Sequence, residues 1–331
     1  HVRDPRGHMR IEMEARATTP GGALTADGSL QLREVAFAVP TLQSDVRELT
    51  GTVIVADNGL LFDTVALKLG QSTVQVSGQV NDYRSTHRKA NLDLTAHVDL
   101  GELDKLITVG GQVWPTLAST EGKDFSQFAT DLQGHADIRL KLLTTKPAET
   151  QYDGSLTFQQ AALRLPRWNM SVTDLSGQLQ LEKGLLSTDE LTFLLGTASL
   201  RAQGALRDSF TSQRTGEMRV SFTNLPDAEV SALLPPNLIH PQGGTVGGQV
   251  DLIFAEDGTL RTKGAVTLQR VQLDPLPKTL RPLTVEEGEL SWEGHSGTFV
   301  ITRGSVTGGT FHGQGQIQSF APLHIEAALD F

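Results

Sequence analysis

The stretch Gly154–Leu206, GSLTFQQAALRLPRWNMSVTDLSGQLQLEKGLLSTDELTFLLGTASLRAQGAL, decides how the rest of the chain is read. Its glycines stand at Gly154, Gly177, Gly196 and Gly204, and 126 positions earlier stand Gly28, Gly51, Gly70 and Gly78. The same shift pairs Ser155 with Ser29, Leu156 with Leu30 and Pro166 with Pro40. It also pairs Leu175 with Leu49, Leu181 with Val55, Leu195 with Leu69 and Leu206 with Val80. Four glycines, a proline and the apolar positions between them in one register predict an internal repeat. Gly7-His8 and Gly134-His135 extend the match at one end. Leu103, Leu106 and Ile107 against Val230, Leu233 and Leu234 extend it at the other. A looser third copy runs through Gly248, Gly264, Gly288, Gly297 and Gly315.

Within each copy the apolar residues alternate, which is the signature of half-buried strands. Leu30 and Leu32 give way to Val35, Phe37 and Val39 with a slip of phase that predicts a bulge. Val53 and Val55 lead to Asn58-Gly59, expected to supply the positive-φ residues of a hairpin turn. Asp153-Gly154, Lys183-Gly184 and Asp257-Gly258 are expected to turn in the same way. Short helices are expected after Asp99, where Glu102 stands at capping-box spacing, and over Pro226–Leu234, before Pro235-Pro236. About twenty strands without long intervening helices predict an all-β, elongated antiparallel chain: a curved groove of tandem repeats with two short helices. The expected division is a remnant of cloning over 1–8, unit 1 over 9–108 and a connecting loop over 109–133. Unit 2 then covers 134–236, and a partial unit 3 covers 237–331.

Composition narrows the function. The 331 residues carry a formal net charge of −10, with no basic run, so nucleic acid is a poor partner. The absence of cysteine removes disulfides, thiolate metal sites and a Cys nucleophile. No apolar run reaches the ~18 residues that cross a bilayer. The histidines have no partner at metal-ligand spacing, and Gly243-Gly244 with Gly247-Gly248 lacks the lysine ending of a phosphate loop. Glu286-Glu287 reads as solvated charge beside a turn at Gly288, and Trp168 and Trp292 as packing residues. The chain is therefore not expected to be an enzyme or to hold a cofactor or metal.

What remains is the apolar face itself. Its candidate lining in the first copy is Leu30, Val53, Val55, Val65, Leu67, Leu69, Val74 and Val76. In the second copy it is Leu156, Leu179, Leu181, Phe193, Leu195, Leu200, Val220 and Phe222, and in the third Leu252, Phe254, Leu268, Leu290, Phe299 and Ile301. A mostly aliphatic surface, in a chain with only 5% aromatic residues overall, suits acyl chains better than sugars or bases.

The Gly-Ser-Leu strand start, the step Leu49-Thr50-Gly51-Thr52-Val53 with its counterpart Leu175-Ser176-Gly177-Gln178-Leu179, and the strands Ser77–Val80 and Gln203–Leu206 form an ordered set. With the trailing segment Leu92–Ile107, this set resembles the repeated segment of the AsmA-like family, over about residues 9–108 and 134–331. The resemblance implies a periplasmic protein anchored to the inner membrane by an N-terminal helix outside this sequence. It also implies a groove that shields phospholipid acyl chains on their way to the outer membrane, with an outer-membrane partner and no catalytic residues. The competing expectation from another class is a sealed β-solenoid scaffold or adhesin-like array that assists outer-membrane assembly.

Overall fold

A computed structural model of the chain describes residues 3–17, 24–39, 44–56, 58–83, 85, 88–102, 130–146, 149–166, 170–208, 214–227, 229–230, 241–273, 283–306, 308–320 and 322–331. Those residues form an all-β protein. The strands are β1 (Arg3–Ala17), β2 (Leu24–Val39), β3 (Ser44–Ala56), β4 (Gly59–Leu69), β5 (Ser72–Asn81), β6 (Lys89–Asp99) and β7 (Thr130–Lys146). They continue as β8 (Glu149–Leu165), β9 (Met170–Glu182), β10 (Leu185–Leu195), β11 (Ala198–Arg207) and β12 (Thr215–Pro226). The last are the two-residue β13 (Pro241–Gln242), β14 (Thr245–Phe254), β15 (Leu260–Leu273), β16 (Leu283–Glu293), β17 (Ser296–Val306), β18 (Gly309–Phe320) and β19 (Leu323–Asp330). Of the expected connecting stretch 109–133, the last four residues open β7 and the rest lie outside the described residues.

The chain divides into two compact units. The first holds residues 1–161 with 178–184, and the second holds 162–177 with 185–331. In the first, each of β1 to β6 pairs antiparallel with the strand that follows it. In the second, β10, β11, β12, β14, β15, β16, β17, β18 and β19 pair antiparallel in that order, with β13 alongside β15. The strands β3, β4 and β5, moved along the sequence by 126 positions, coincide with β9, β10 and β11 at both ends.

The interruptions recur with the strands. The phase slip in β2 is a bulge between Leu32 and Val35, around Glu34 with φ 52°, and Gln160 of β8 has φ 50°. Glu48 and Asp174 both have φ 52°, and the ladders β4–β5 and β10–β11 slip at Phe62/Val65 and Thr188/Leu191. Such an extra residue bends a strand and increases its twist.

Glycine is required at several of these places, and turn formation is often not the reason. Gly28 and Gly154 lie inside β2 and β8, so the turn expected at Asp153-Gly154 is not there. A β-carbon on Gly154 would collide with the Arg139 carbonyl and the Leu140 backbone of β7, which makes close strand approach the cause. Gly59 pairs with Ala56 as the first residue of β4 and does not take a positive φ, so the turn precedes it. The Lys183-Gly184 turn does form, with φ 48° and 82°, as the primed hairpin turns demand. So does the turn at Asp257-Gly258, where the Gly258 amide donates to the Ala255 carbonyl at 3.0 Å. Glu286 and Glu287 stand within β16, beside a bulge and not beside a turn.

One face of each unit is apolar and the other carries charge. On the charged face of unit 2, Asp251 of β14 is buried and accepts from Arg219 Nε at 2.6 Å and Nη2 at 3.1 Å. The Arg219 guanidinium holds this carboxyl below the usual carboxylate range, with Lys263 assisting, while burial pushes the other way. Its contribution is therefore complete above pH ~4 and lost as pH falls through the lowered value. Asp251→Asn is expected to lower the melting temperature at pH 7. The gap from the parent protein should narrow in calorimetry as the pH falls through that lowered value.

Candidate functional site

The apolar face of unit 2 is built of cross-strand rows, since directly opposed residues of an antiparallel pair share a face. One row runs Phe193, Leu200, Phe222, Gly248, Val266, Leu290, Phe299, Gly315. The next runs Leu191, Ala202, Val220, Val250, Gly264, Trp292, Gly297, Ile317. The residues that alternate with them belong to the charged and hydroxylated side, among them Arg201, Ser221, Gln249, Ser291 and Thr298.

These rows border a cavity of about 740 Å³. All of its lining residues are apolar: Leu165, Met170, Val172, Phe193, Leu195, Leu200, Val220, Phe222, Leu225, Val230, Val246, Val250, Leu252, Val266, Leu268, Val271, Leu273, Leu290, Trp292, Ile317, Phe320 and Ile325. The one polar atom among these side chains is satisfied, because the Trp292 indole donates to Thr262 Oγ1 at 3.2 Å. Val246, Val266 and Val271 are also the buried core cluster of this unit, against which Phe222, Leu268, Leu290 and Trp292 pack. Core and cavity wall are thus one set of residues.

Of the lining expected from sequence, Phe193, Leu195, Leu200, Val220, Phe222, Leu252, Leu268 and Leu290 border this cavity. Phe254 does not border it and instead lies under the guanidinium of Arg214, 5.3 Å from the ring centre. Phe299 covers Gly315, filling the space that this glycine leaves, and Ile301 lies beside Gly313, whose open side is filled by Leu329. Leu156, Leu179 and Leu181 are half-buried in unit 1. So are Leu30, Val53, Val55, Val65, Leu67, Val74 and Val76, and Leu69 is buried. They form rows of their own, such as Leu30 beside Val53, Val65 beside Val76 and Leu67 beside Val74. Alternation alone would have placed Val246, Val250 and Val266 in the lining as well, since each lies in phase with residues expected there, whereas Val271 is out of phase with Leu268 and reaches the cavity through the slip at Arg270, whose φ is 53°.

The second structural feature is a pair of glutamate clasps. Asp99 caps Leu100–Glu102, the described start of the first expected helix, by accepting from the Glu102 amide at 3.1 Å. Leu103, Leu106 and Ile107, which would complete that helix, lie outside the described residues. The Glu102 carboxylate does not return to Asp99 as in a capping box. It crosses to the β4–β5 turn and accepts from the Gln71 amide at 2.7 Å, the Ser72 amide at 3.1 Å and Ser72 Oγ at 2.7 Å. Ser72 Oγ in turn accepts from the Asp99 amide at 3.0 Å.

Glu229, next to the cavity residue Val230, is placed against the β10–β11 turn in the same way. A β-carbon on Gly70 (φ 58°) or Gly196 (φ 60°) would collide with the carboxylate of Glu102 or Glu229 respectively. The hydroxyl of Ser72, however, has become the methyl of Ala198, and Glu229 Oε2 is buried without a hydrogen-bond partner. Restoring the donor should remove that cost, so Ala198→Ser is expected to raise stability by about 1 kcal/mol in urea denaturation.

Two polar depressions also occur. That of unit 1 is about 890 Å³ and contains Glu48, Lys68, His97, Asp137 and Arg139. Several of its charged groups are already paired: Lys68 with Glu48 at 2.7 Å, and Asp137, which accepts from His97 Nδ1 at 2.7 Å and Gln159 Nε2 at 2.7 Å. His135, matched to His8 in sequence, stacks on His97 with ring centres 5.3 Å apart. Among the described residues no group of three His, Asp or Glu is arranged to hold a metal ion. The other depression, of about 750 Å³ in unit 2, lies over Asp251, Lys263 and Glu293. The apolar cavity is therefore the site whose chemistry points to a ligand. Comparison of the chain with models of known families, with curated proteins and with solved structures finds no match.

Proposed function

We propose that this chain is a lipid-binding segment in which tandem copies of one strand design form an apolar groove for acyl chains. The observation that carries this reading is the cavity of unit 2, whose lining is wholly aliphatic or aromatic. Its volume lies in the range of small-molecule sites, yet it lacks the few placed polar groups that orient most ligands. A ligand held there gains from removing its own apolar surface from water, about 0.8 kcal/mol for each methylene buried. Unbranched hydrocarbon fits that requirement, with a polar head remaining in water at the rim. Because no contact fixes a particular atom, a chain can slide between neighbouring rows at little cost.

The coincidence of β3, β4 and β5 with β9, β10 and β11 supports the tandem design, as do the paired clasps at Glu102 and Glu229. The resemblance to AsmA-like proteins supports placing the segment in the periplasm, where it would pass phospholipid between inner and outer membranes. The test is solvent extraction and mass spectrometry of protein purified from bacteria without detergent. Phospholipid above one molecule per chain is expected. A lipid-free protein that also takes up no added labelled phospholipid would sink the reading.

A further inference from the structure

We infer that unit 2 selects amphiphiles with an anionic head, a carboxylate or a phosphate, and that Arg214 is the residue that reads it. This selection rests on the proposed acyl-chain groove and adds the direction in which a ligand lies in it. The cavity is sealed at one end of its strands and open at the other. Along the face of β15 that lines it, Val271 is 1% exposed, Val266 8% and Leu260 55%. Val246 and Leu225 are buried at the sealed end, where Val230 packs on the core cluster.

Polarity follows the same gradient. Thr262 is the first polar side chain met on this face between Val266 and Leu260, and its hydroxyl accepts from the Trp292 indole at 3.2 Å. Opposite Leu260 stands Phe254. It lies two residues beyond the cavity residue Leu252, about 7 Å further along β14 and on the same side of the sheet.

The two ends also differ in charge. At the sealed end Asp227 accepts from the Gly243 amide at 2.9 Å, and Glu229 lies against the β10–β11 turn with Oε2 buried and unpartnered. An anionic head brought to that end meets like charge. At the open end the Arg214 guanidinium lies over the Phe254 ring, 5.3 Å from its centre. Gly216, directly opposite Phe254, presents no side chain beside the ring. A guanidinium is weakly hydrated and rests well on an aromatic face, and its planar fork of N–H donors matches a carboxylate or phosphate.

Neighbouring cations are already committed, Arg219 to Asp251 at 2.6 Å and Arg261 to Asp257 at 3.0 Å. Among the described residues no carboxylate pairs with Arg214. Of the acids in the β14–β15 turn, Asp257 is held by Arg261 and Thr259, and Glu256 is exposed, where screening weakens its repulsion. A ligand whose chain runs toward Val266 and whose head stops at Arg214 therefore has apolar wall along its length and a cation at its end.

The test compares a fluorescent long-chain fatty acid with its methyl ester, which keeps the chain and loses the charge, at about pH 8, where the acid is ionised. The parent protein should bind the acid at least about tenfold more tightly than the ester. Arg214→Gln should bind the acid only as tightly as the ester, and the ester as the parent does. Arg261→Gln, on the same hairpin as Phe254, should keep the preference. Inorganic phosphate at about 10 mM should not displace the acid, since the chain supplies most of the hold. Equal binding of acid and ester by the parent, or a preference that survives Arg214→Gln, overturns the inference and leaves the groove standing. Displacement by phosphate overturns it too, by assigning Arg214 to the free ion. Binding of neither probe sinks the groove and this selection together.

Discussion

Phe193→Asp and Val220→Asp are each expected to reduce the affinity of unit 2 for a fluorescent long-chain fatty acid by tenfold or more. Both side chains border the cavity and are only half-buried, so an aspartate at either position has water within reach and the strand pairing is retained. The short carboxylate cannot extend out of the apolar layer as a lysine can. It carries its hydration into the site, and displaces about two or more methylenes of ligand from the wall, each about 0.8 kcal/mol. The control is Ser221→Asp, one residue along β12 and therefore on the other face. It should bind as the parent does. Equal affinity for all three variants, measured by titration of the fluorescent acid, would remove this cavity as the binding site.

Val271→Asp should instead destabilise unit 2 itself, by on the order of 4 kcal/mol in urea denaturation. Val271 of β15 and its partner Val285 of β16 are each 1% exposed, and Val271 belongs to the cluster with Val246 and Val266. A carboxylate there has no route to water and no cation to pair with in that cluster. Val300→Thr on the exposed side of β17, where the parent residue is 49% exposed, should change stability by no more than about 0.5 kcal/mol. Together the two series separate the half-buried lining residues, whose replacement is read in binding, from the fully buried Val271, whose replacement is read in stability.

The glycine spacing made much of the fold legible, because a strand ladder constrains sequence at short range. The phase slip after Leu32 marked a real bulge, and the shift of 126 reproduced the bounds of three consecutive strands. Glycine was ambiguous between its two uses. Gly184 and Gly258 bend the chain, whereas Gly28 and Gly154 admit a neighbouring backbone, and the local sequence is similar in both cases. The capping-box spacing of Asp99 and Glu102 identified the cap correctly but not the destination of Glu102, whose partners stand about thirty residues earlier. The cavity was half legible. Alternation separates the faces of a strand, but it cannot say which stretch of an apolar face is covered by a neighbour. Phe254 under Arg214 and Phe299 over Gly315 are decided by contacts between strands.

The pairing order within each unit bears on how the protein comes into being. Apart from β13, every strand of unit 2 from β10 onwards finds its partners immediately before and after it in the chain. Closing such a ladder spends little loop entropy, and no pairing waits for a distant segment to arrive. Each new strand has a finished edge to add to, with its register set by alternation and by the bulges. A chain delivered end-first can therefore acquire its final pairings in the order in which its residues appear, and at any moment it exposes one growing edge.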